Sequence, residues 1–144
     1  MSKKKWFDIS YHPYIEEDSK TRRKVEVFRP TVPIAISYQG KPSFDFQALV
    51  DSGSDRNLFP AGLGESVGIA IKSGRLRKIQ GIGKDNLINA YTHKVKIIIC
   101  STIFDSEADF SYEQQYPLLG RDGFFSLFDK VGLREQKKSI EFRL

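Results

Sequence analysis

The chain has few of the residues that build disulfides and metal sites. It holds one cysteine, Cys100, and two histidines, His12 and His93, among 144 residues. A single cysteine can neither close an intramolecular disulfide nor build a thiolate metal site, and the histidines lack ligand-spaced partners. We therefore expect no metal and no cofactor. Cys100 ends the mostly apolar run 95–99, which favours a small side chain buried in a strand, with intermolecular or redox chemistry as the alternative.

Long apolar runs are also missing. No segment approaches the roughly 20 apolar residues of a membrane-spanning helix. The basic start of the chain leads into Trp6-Phe7-Asp8 and not into the apolar stretch of a secretory signal. We expect a cytoplasmic protein with no membrane partner. Its length fits one domain, and 40% hydrophobic residues exclude a wholly disordered chain.

The chain is moderately basic, with a formal net charge of +5. Basic residues cluster at 3–5, 22–24, 75–78 and 137–138, which satisfies a first criterion for nucleic-acid binding. Acidic residues are interspersed among them, and no zinc-finger, helix-turn-helix or stacked-aromatic pattern accompanies the clusters. We expect a solvated surface and consider a nucleic-acid partner the weaker alternative.

Alternating and apolar segments predict a mostly β chain. A short helix is expected over Ala61–Val67, between Pro60 and Gly68. A second helix is expected over Gly123–Val131, whose Phe and Leu spacing fits one amphipathic face. Strands are expected at 24–28, 32–38, 44–50, 57–60, 69–80, 87–100, 102–110 and 139–144.

One segment carries a pattern associated with chemistry. Asp51-Ser52-Gly53-Ser54-Asp55 follows the apolar strand end 48–50. A carboxylate in this place is unfavourable unless it is hydrogen-bonded or shares a proton. Gly53 allows a backbone N–H to point at that carboxylate and a ligand to approach closely. Alone the motif is weak, because a strand-ending turn uses the same residues.

Two later segments add context: the glycine hairpin Gln80-Gly81-Ile82-Gly83, and Leu118-Leu119-Gly120-Arg121-Asp122. In this order the three segments resemble the retroviral-type aspartic proteases, the retropepsins. The resemblance implies a retropepsin domain over residues 29–144, all-β and closed-barrel-like, with one short C-terminal helix. Residues 1–28 form an N-terminal extension, interpreted as either an extra strand or a removable segment.

The function that the resemblance implies is an aspartic endopeptidase, in which two carboxylates share one proton and activate a water. The chain has one Asp-Ser-Gly, so Asp51 of two chains would meet at the axis of a homodimer acting on peptides. The C-terminal strand, 139–144, is expected to interleave with the partner's. The alternative is a non-catalytic dimerisation or peptide-binding module on the same fold.

Further site residues follow from the same resemblance. Ser52, Gly53 and Ser54 would support the catalytic loop, and the Ser54 hydroxyl is expected to donate to the Asp51 carboxylate. Asp55 and Arg121 match a buried salt bridge. The residues expected to bind substrate are Gly53, Asp55 and Arg56 on the loop, and Gly81, Ile82 and Gly83 at a flap tip, for which an ordinary hairpin turn is the alternative.

Overall fold

The computed structural model describes residues 6–80 and 87–144. Strands make up most of this part of the chain. In order they are β1 (Trp6–Ser10), β2 (His12–Glu17), β3 (Lys24–Arg29), β4 (Thr31–Tyr38), β5 (Lys41–Pro42), β6 (Phe46–Val50), β7 (Leu58–Pro60), β8 (Arg75–Gln80), β9 (Leu87–Ile99), β10 (Thr102–Ser111), β11 (Leu118–Leu119), β12 (Lys130–Arg134) and β13 (Ser139–Arg143). The α-helix α1 spans Ala61–Ser66, and single 3-10 turns span Ile71–Ser73 and Phe125–Leu127.

The largest sheet closes on itself. Its strand order is β5-β4-β6-β11-β7-β10-β9-β8, and β4 also pairs with β9. The ring from β4 through β6, β11, β7, β10 and β9 is therefore a closed barrel, which confirms the predicted fold class. The barrel is filled by fully buried apolar side chains: Val32, Ile34, Ile36, Ala48, Phe59, Ile97, Ile99, Phe110 and Leu119.

The short helix before residue 68 forms where the sequence predicts it. Pro60 immediately precedes α1, and Gly68 follows it with a φ of +91°, a left-handed conformation that favours glycine. The strand expected from residue 69 begins only at Arg75, because residues 71–73 form a 3-10 turn first.

The predicted helix over Gly123–Val131 is wrong. Within it the structure has a 3-10 turn at Phe125–Leu127, and the chain then enters β12, which pairs with β13. The phenylalanines form a cluster and not a helical face: Phe124 and Phe128 pack on Phe142, with ring centroids 5.5 and 5.1 Å away. A short apolar run is compatible with a helix or a strand, and the available strand partner decides between the two.

Cys100 is exposed, contrary to the expected buried strand position. The ladder of β9 and β10 ends at the pair Ile99↔Thr102, so Cys100 and Ser101 form the turn of a tight hairpin. Both have positive φ, 49° and 60°, as the two central residues of such turns require. The apolar run therefore ends one residue before the cysteine.

The C-terminal strand lies in the middle of a second sheet, of order β1-β13-β12. Its Ile140 and Phe142 are fully buried. Both of its backbone edges are paired within the chain, which contradicts the expected interleaving of 139–144 with a partner. Among the described residues, β1 and β12 form the edges of this sheet. Pairing of Trp6–Ser10 with β13 also places an extra strand in the N-terminal extension.

A hairpin of β2 and β3 links that strand to the barrel. Tyr11, at its base, is buried and donates its hydroxyl hydrogen to Glu135 Oε2 over 2.9 Å, while its N–H donates to the Lys138 carbonyl. Burial first, and then the Glu135 carboxylate, raise the pKa of Tyr11 to about 12. This contact fastens the extension to the turn between β12 and β13.

Candidate active site

Asp51 stands at the end of β6, in a loop that holds its carboxylate in place. The N–H of Asp51 donates to the Leu119 carbonyl over 3.0 Å. Its Oδ1 accepts the N–H of Gly53 over 2.9 Å. A Cβ at Gly53 would lie 3.2 Å from that same oxygen, so any larger residue would press against the carboxylate. Asp51 is half-buried.

A second loop, residues 118–122, runs alongside the Asp51 loop. β11 pairs in parallel with the end of β6, at Leu118↔Leu49. Beyond it, the N–H of Arg121 donates to the Ser54 carbonyl over 2.9 Å and the N–H of Asp122 to the Asp55 carbonyl over 2.8 Å. The two segments that the sequence singled out therefore form one backbone-bonded unit.

The Asn57 side chain holds the 118–122 loop in place through hydrogen bonds, and the sequence analysis did not identify this role. Its side chain is fully buried. The amide oxygen accepts the N–H of Gly120 over 3.0 Å, and the amide nitrogen donates to the Glu107 carbonyl over 2.9 Å. A polar residue directly before the apolar pair Leu58-Phe59 was the available signal, but it does not identify the partners.

Arg56, expected to bind substrate, has its guanidinium occupied by carboxylates. Nε and Nη2 donate to Asp109 over 3.0 and 3.3 Å, Nη1 to Asp122 over 3.1 Å, and Nη2 also to Glu107 over 3.2 Å. Burial lowers the pKa of Arg56, but the bonds with Asp109 and the other carboxylates outweigh burial and leave the pKa raised. Arg56 therefore contributes to the site mainly as a structural cation.

Asp109 is a second residue that the sequence analysis missed. It is fully buried on β10, where it also accepts the Thr92 hydroxyl over 2.6 Å. The signal in the sequence was a carboxylate between the apolar residues Ala108 and Phe110 of an expected strand. Such a group requires a paired cation, but nothing in the sequence connects it with Arg56, 53 positions earlier.

The structure corrects two expectations about the loop. The Ser54 hydroxyl donates to the Arg56 carbonyl over 2.7 Å and not to Asp51, so it braces the turn. Asp55 and Arg121 do form an ion pair, but their side chains are 84% and 63% exposed, so the pair is not buried in the single chain. No part of the chain described here covers it. Ser52 is exposed, and its expected support of the catalytic loop remains a prediction.

The Asp51 loop opens into a cleft of about 840 Å³. Strand β8 forms one wall and pairs with β9 as far as Gln80↔Leu87. The predicted flap residues Gly81, Ile82 and Gly83 lie just beyond this pair, outside the described residues. Besides Asp51, the cleft is lined by Gly53, Ser54, Asp55, Arg56, Leu58, Arg77, Lys78, Ile79, Gln80, Ile88, Asp109, Glu113, Gln114 and Leu118.

A solved structure with this architecture is known. The chain superimposes on a retropepsin-like aspartic protease from Rickettsia conorii with a TM-score of 0.60, covering 98% of this chain and 92% of that one at 10% identity. The chain has a retropepsin-like fold. The EIAV protease, solved with the inhibitor HBY-793, matches 65% of this retropepsin-like chain and 82% of its own, with a TM-score of 0.48 and 19% identity. No family model matches the sequence, and no curated protein does.

Two structural features are absent from the described residues. Within residues 6–80 and 87–144, no helix is long and apolar enough to cross a membrane. The same ranges contain no group of three or more His, Cys, Asp or Glu residues placed to hold a metal ion.

Proposed function

We propose that this protein is an aspartic endopeptidase that hydrolyses peptide bonds with a water activated between the Asp51 carboxylates of a homodimer. The observation that carries the proposal is the position of Asp51. It lies at the end of a barrel strand, in an Asp-Ser-Gly loop bonded to the 118–122 loop, and it faces a cleft walled by β8. The retropepsin-like fold supports the same conclusion.

In the proposed reaction one Asp51 of the pair is ionised and the other is protonated. The ionised carboxylate takes a proton from water as the water oxygen attacks the peptide carbonyl, and the protonated one donates to the carbonyl oxygen. The tetrahedral intermediate collapses with transfer of a proton to the leaving nitrogen. The Gly53 N–H, which donates to Oδ1, would orient the carboxylate.

A second chain is required because this one carries a single Asp-Ser-Gly. Both edges of β13 are occupied within the chain, so we propose that the subunits meet through other surfaces around the Asp51 loop. The exposed Asp55–Arg121 pair next to that loop is one surface that a partner would cover.

Digestion of a proteome-derived peptide library tests the proposal. Wild-type protein is compared with Asp51→Asn, and Asp45→Asn serves as the control because Asp45 is an exposed carboxylate on the approach to β6. We expect mass spectrometry to find the same cleavages with wild type and Asp45→Asn, and none with Asp51→Asn. Binding of peptides without cleavage would instead support the non-catalytic module.

A further inference from the structure

Two arginines approach the buried Asp109 carboxylate in the wall of the cleft. Arg56 bonds to both carboxylate oxygens, and the Thr92 hydroxyl adds a third bond. The Nε atom of Arg77, on β8, stays 3.8 Å from Oδ2. That separation allows attraction between the charges but is too long for a hydrogen bond. Asp109 therefore orients Arg77 without occupying its donors.

Arg77 keeps its hydrogen-bonding capacity available to the cleft. Its side chain is 41% exposed and lines the same cavity as Asp51. Among the described residues Arg77 donates no side-chain hydrogen bond. A guanidinium carries five N–H donors in a planar fork that matches a carboxylate. An oriented guanidinium with unused donors is a suitable binding group for a carboxylate.

The charges around Arg77 permit an anion to bind there. Arg56 compensates the Asp109 carboxylate, so that carboxylate does not oppose a second one with its full charge. Lys78, the next residue of β8, adds a positive charge to the cleft lining. The acids Asp55 and Glu113 also line the cleft, but the first pairs with Arg121 and the second accepts a backbone N–H from β9.

We propose that Arg77 binds an acidic side chain of the substrate, so that preferred substrates carry Asp or Glu close to the scissile bond. Asp109 is then a positioning residue that attracts the Nε side of Arg77, while the substrate carboxylate accepts hydrogen bonds from the guanidinium. This inference rests on the proposed function and specifies the substrate class of the same site.

The first test uses the cleavage sites that wild-type protein makes in the peptide library. We expect Asp or Glu to be enriched at one position within four residues of the cut. The second test uses one cleaved peptide made in two versions, with Glu or Gln at that position. We expect wild type to favour the Glu version in kcat/KM by about tenfold, the value of one charge-assisted contact of roughly 1.4 kcal/mol.

Variants assign this preference to Arg77. Arg77→Gln should bring the Glu-to-Gln ratio close to one, mainly through a higher KM for the Glu peptide. Arg77→Lys, which keeps the charge and loses the fork, should give an intermediate ratio. Arg75→Gln is the matched control on the same strand: it is exposed, does not line the cleft, and should keep the wild-type ratio.

The outcomes separate the inference from the proposed function. Efficient, Asp51-dependent cleavage with no acidic preference, or with a preference that survives Arg77→Gln, overturns the role of Arg77 and leaves the endopeptidase standing. If no peptide is cleaved in an Asp51-dependent way, the proposed function fails and this inference fails with it.

Discussion

Gly120 and Arg56 cross so closely that no side chain fits between them. A Cβ at Gly120 would lie 2.3 Å from the Arg56 carbonyl oxygen and 2.7 Å from the Arg56 nitrogen. These are backbone atoms, which cannot move aside as a flexible side chain can. The crossing brings the 118–122 loop against the Asp51 loop, so the geometry of the carboxylate depends on a glycine 69 positions away in the sequence.

Gly120→Ala should therefore destabilise the fold and disturb the site together. We expect a loss of at least about 2 kcal/mol in the free energy of unfolding, as in overpacked cores. The control is Gly62→Ala in α1, where a Cβ meets nothing within 4 Å, and which should gain about 0.5–1 kcal/mol. Urea denaturation of both variants is the measurement, and equal stabilities would disprove the close crossing.

Arg56 should be a determinant of stability. Arg56→Met leaves Asp109 buried without its main cation, and removal of one partner from a buried ion pair costs about 3–5 kcal/mol. Lys96→Met, at an exposed ion pair on β9, should change stability by less than about 1 kcal/mol. Chemical denaturation compares the two. An Arg56 variant as stable as the Lys96 variant would contradict the structural role.

Tyr11 should make stability depend on alkaline pH. Its pKa is raised in the folded protein to about 12 from 10.0, so between these values the unfolded chain loses a proton that the folded chain keeps. The contribution of Tyr11 to the free energy of unfolding is therefore complete below pH 10. It is lost as the pH rises toward 12, by about 1.4 kcal/mol for each pH unit between the two pKa values. The stability difference between wild type and Tyr11→Phe should shrink over this range. A difference that is constant from pH 9 to 11.5 would refute the raised pKa that burial and the Glu135 carboxylate give Tyr11.

The strands of the barrel and the Asp51 segment were predictable because they depend on local patterns. Alternation along β4, and an apolar strand end before Asp51, are signals within a few residues. The order of three such segments was enough for the retropepsin resemblance. The helix Ala61–Ser66 was predictable for the same reason, since Pro60 and Gly68 mark its ends.

The rest depends on contacts between distant parts of the chain. Whether the phenylalanines after Gly123 form a helix is decided by β13, which offers a strand partner and a ring, Phe142, for them to pack on. The side-chain partners of Asn57, and the Arg56 guanidinium that pairs with Asp109, lie 50 or more positions away. The hydrogen-bond acceptor of the Ser54 hydroxyl is an exception, because it depends on the local turn. The expected bond to Asp51 was one of several that the sequence allows.

The central place of β13 predicts the result of truncation. Deletion of residues 139–144 removes the fully buried Ile140 and Phe142 and leaves β1 and β12 without their shared partner. We expect an unfolded or aggregated protein, measured by circular dichroism and sedimentation. A folded, inactive monomer would instead restore the interleaved interface that the sequence suggested.

The most direct test of the account is a subunit-mixing experiment on peptide hydrolysis. Wild type and Asp51→Asn are unfolded together in equal amounts, refolded, and assayed at constant total protein on one peptide. If each site needs Asp51 from both chains, only dimers of two wild-type chains are active, and the rate falls to about a quarter of that of wild type alone. A rate of about three quarters would mean that one Asp51 suffices in a dimer, a rate of about one half would mean that the chains act independently, and either result would contradict the shared site.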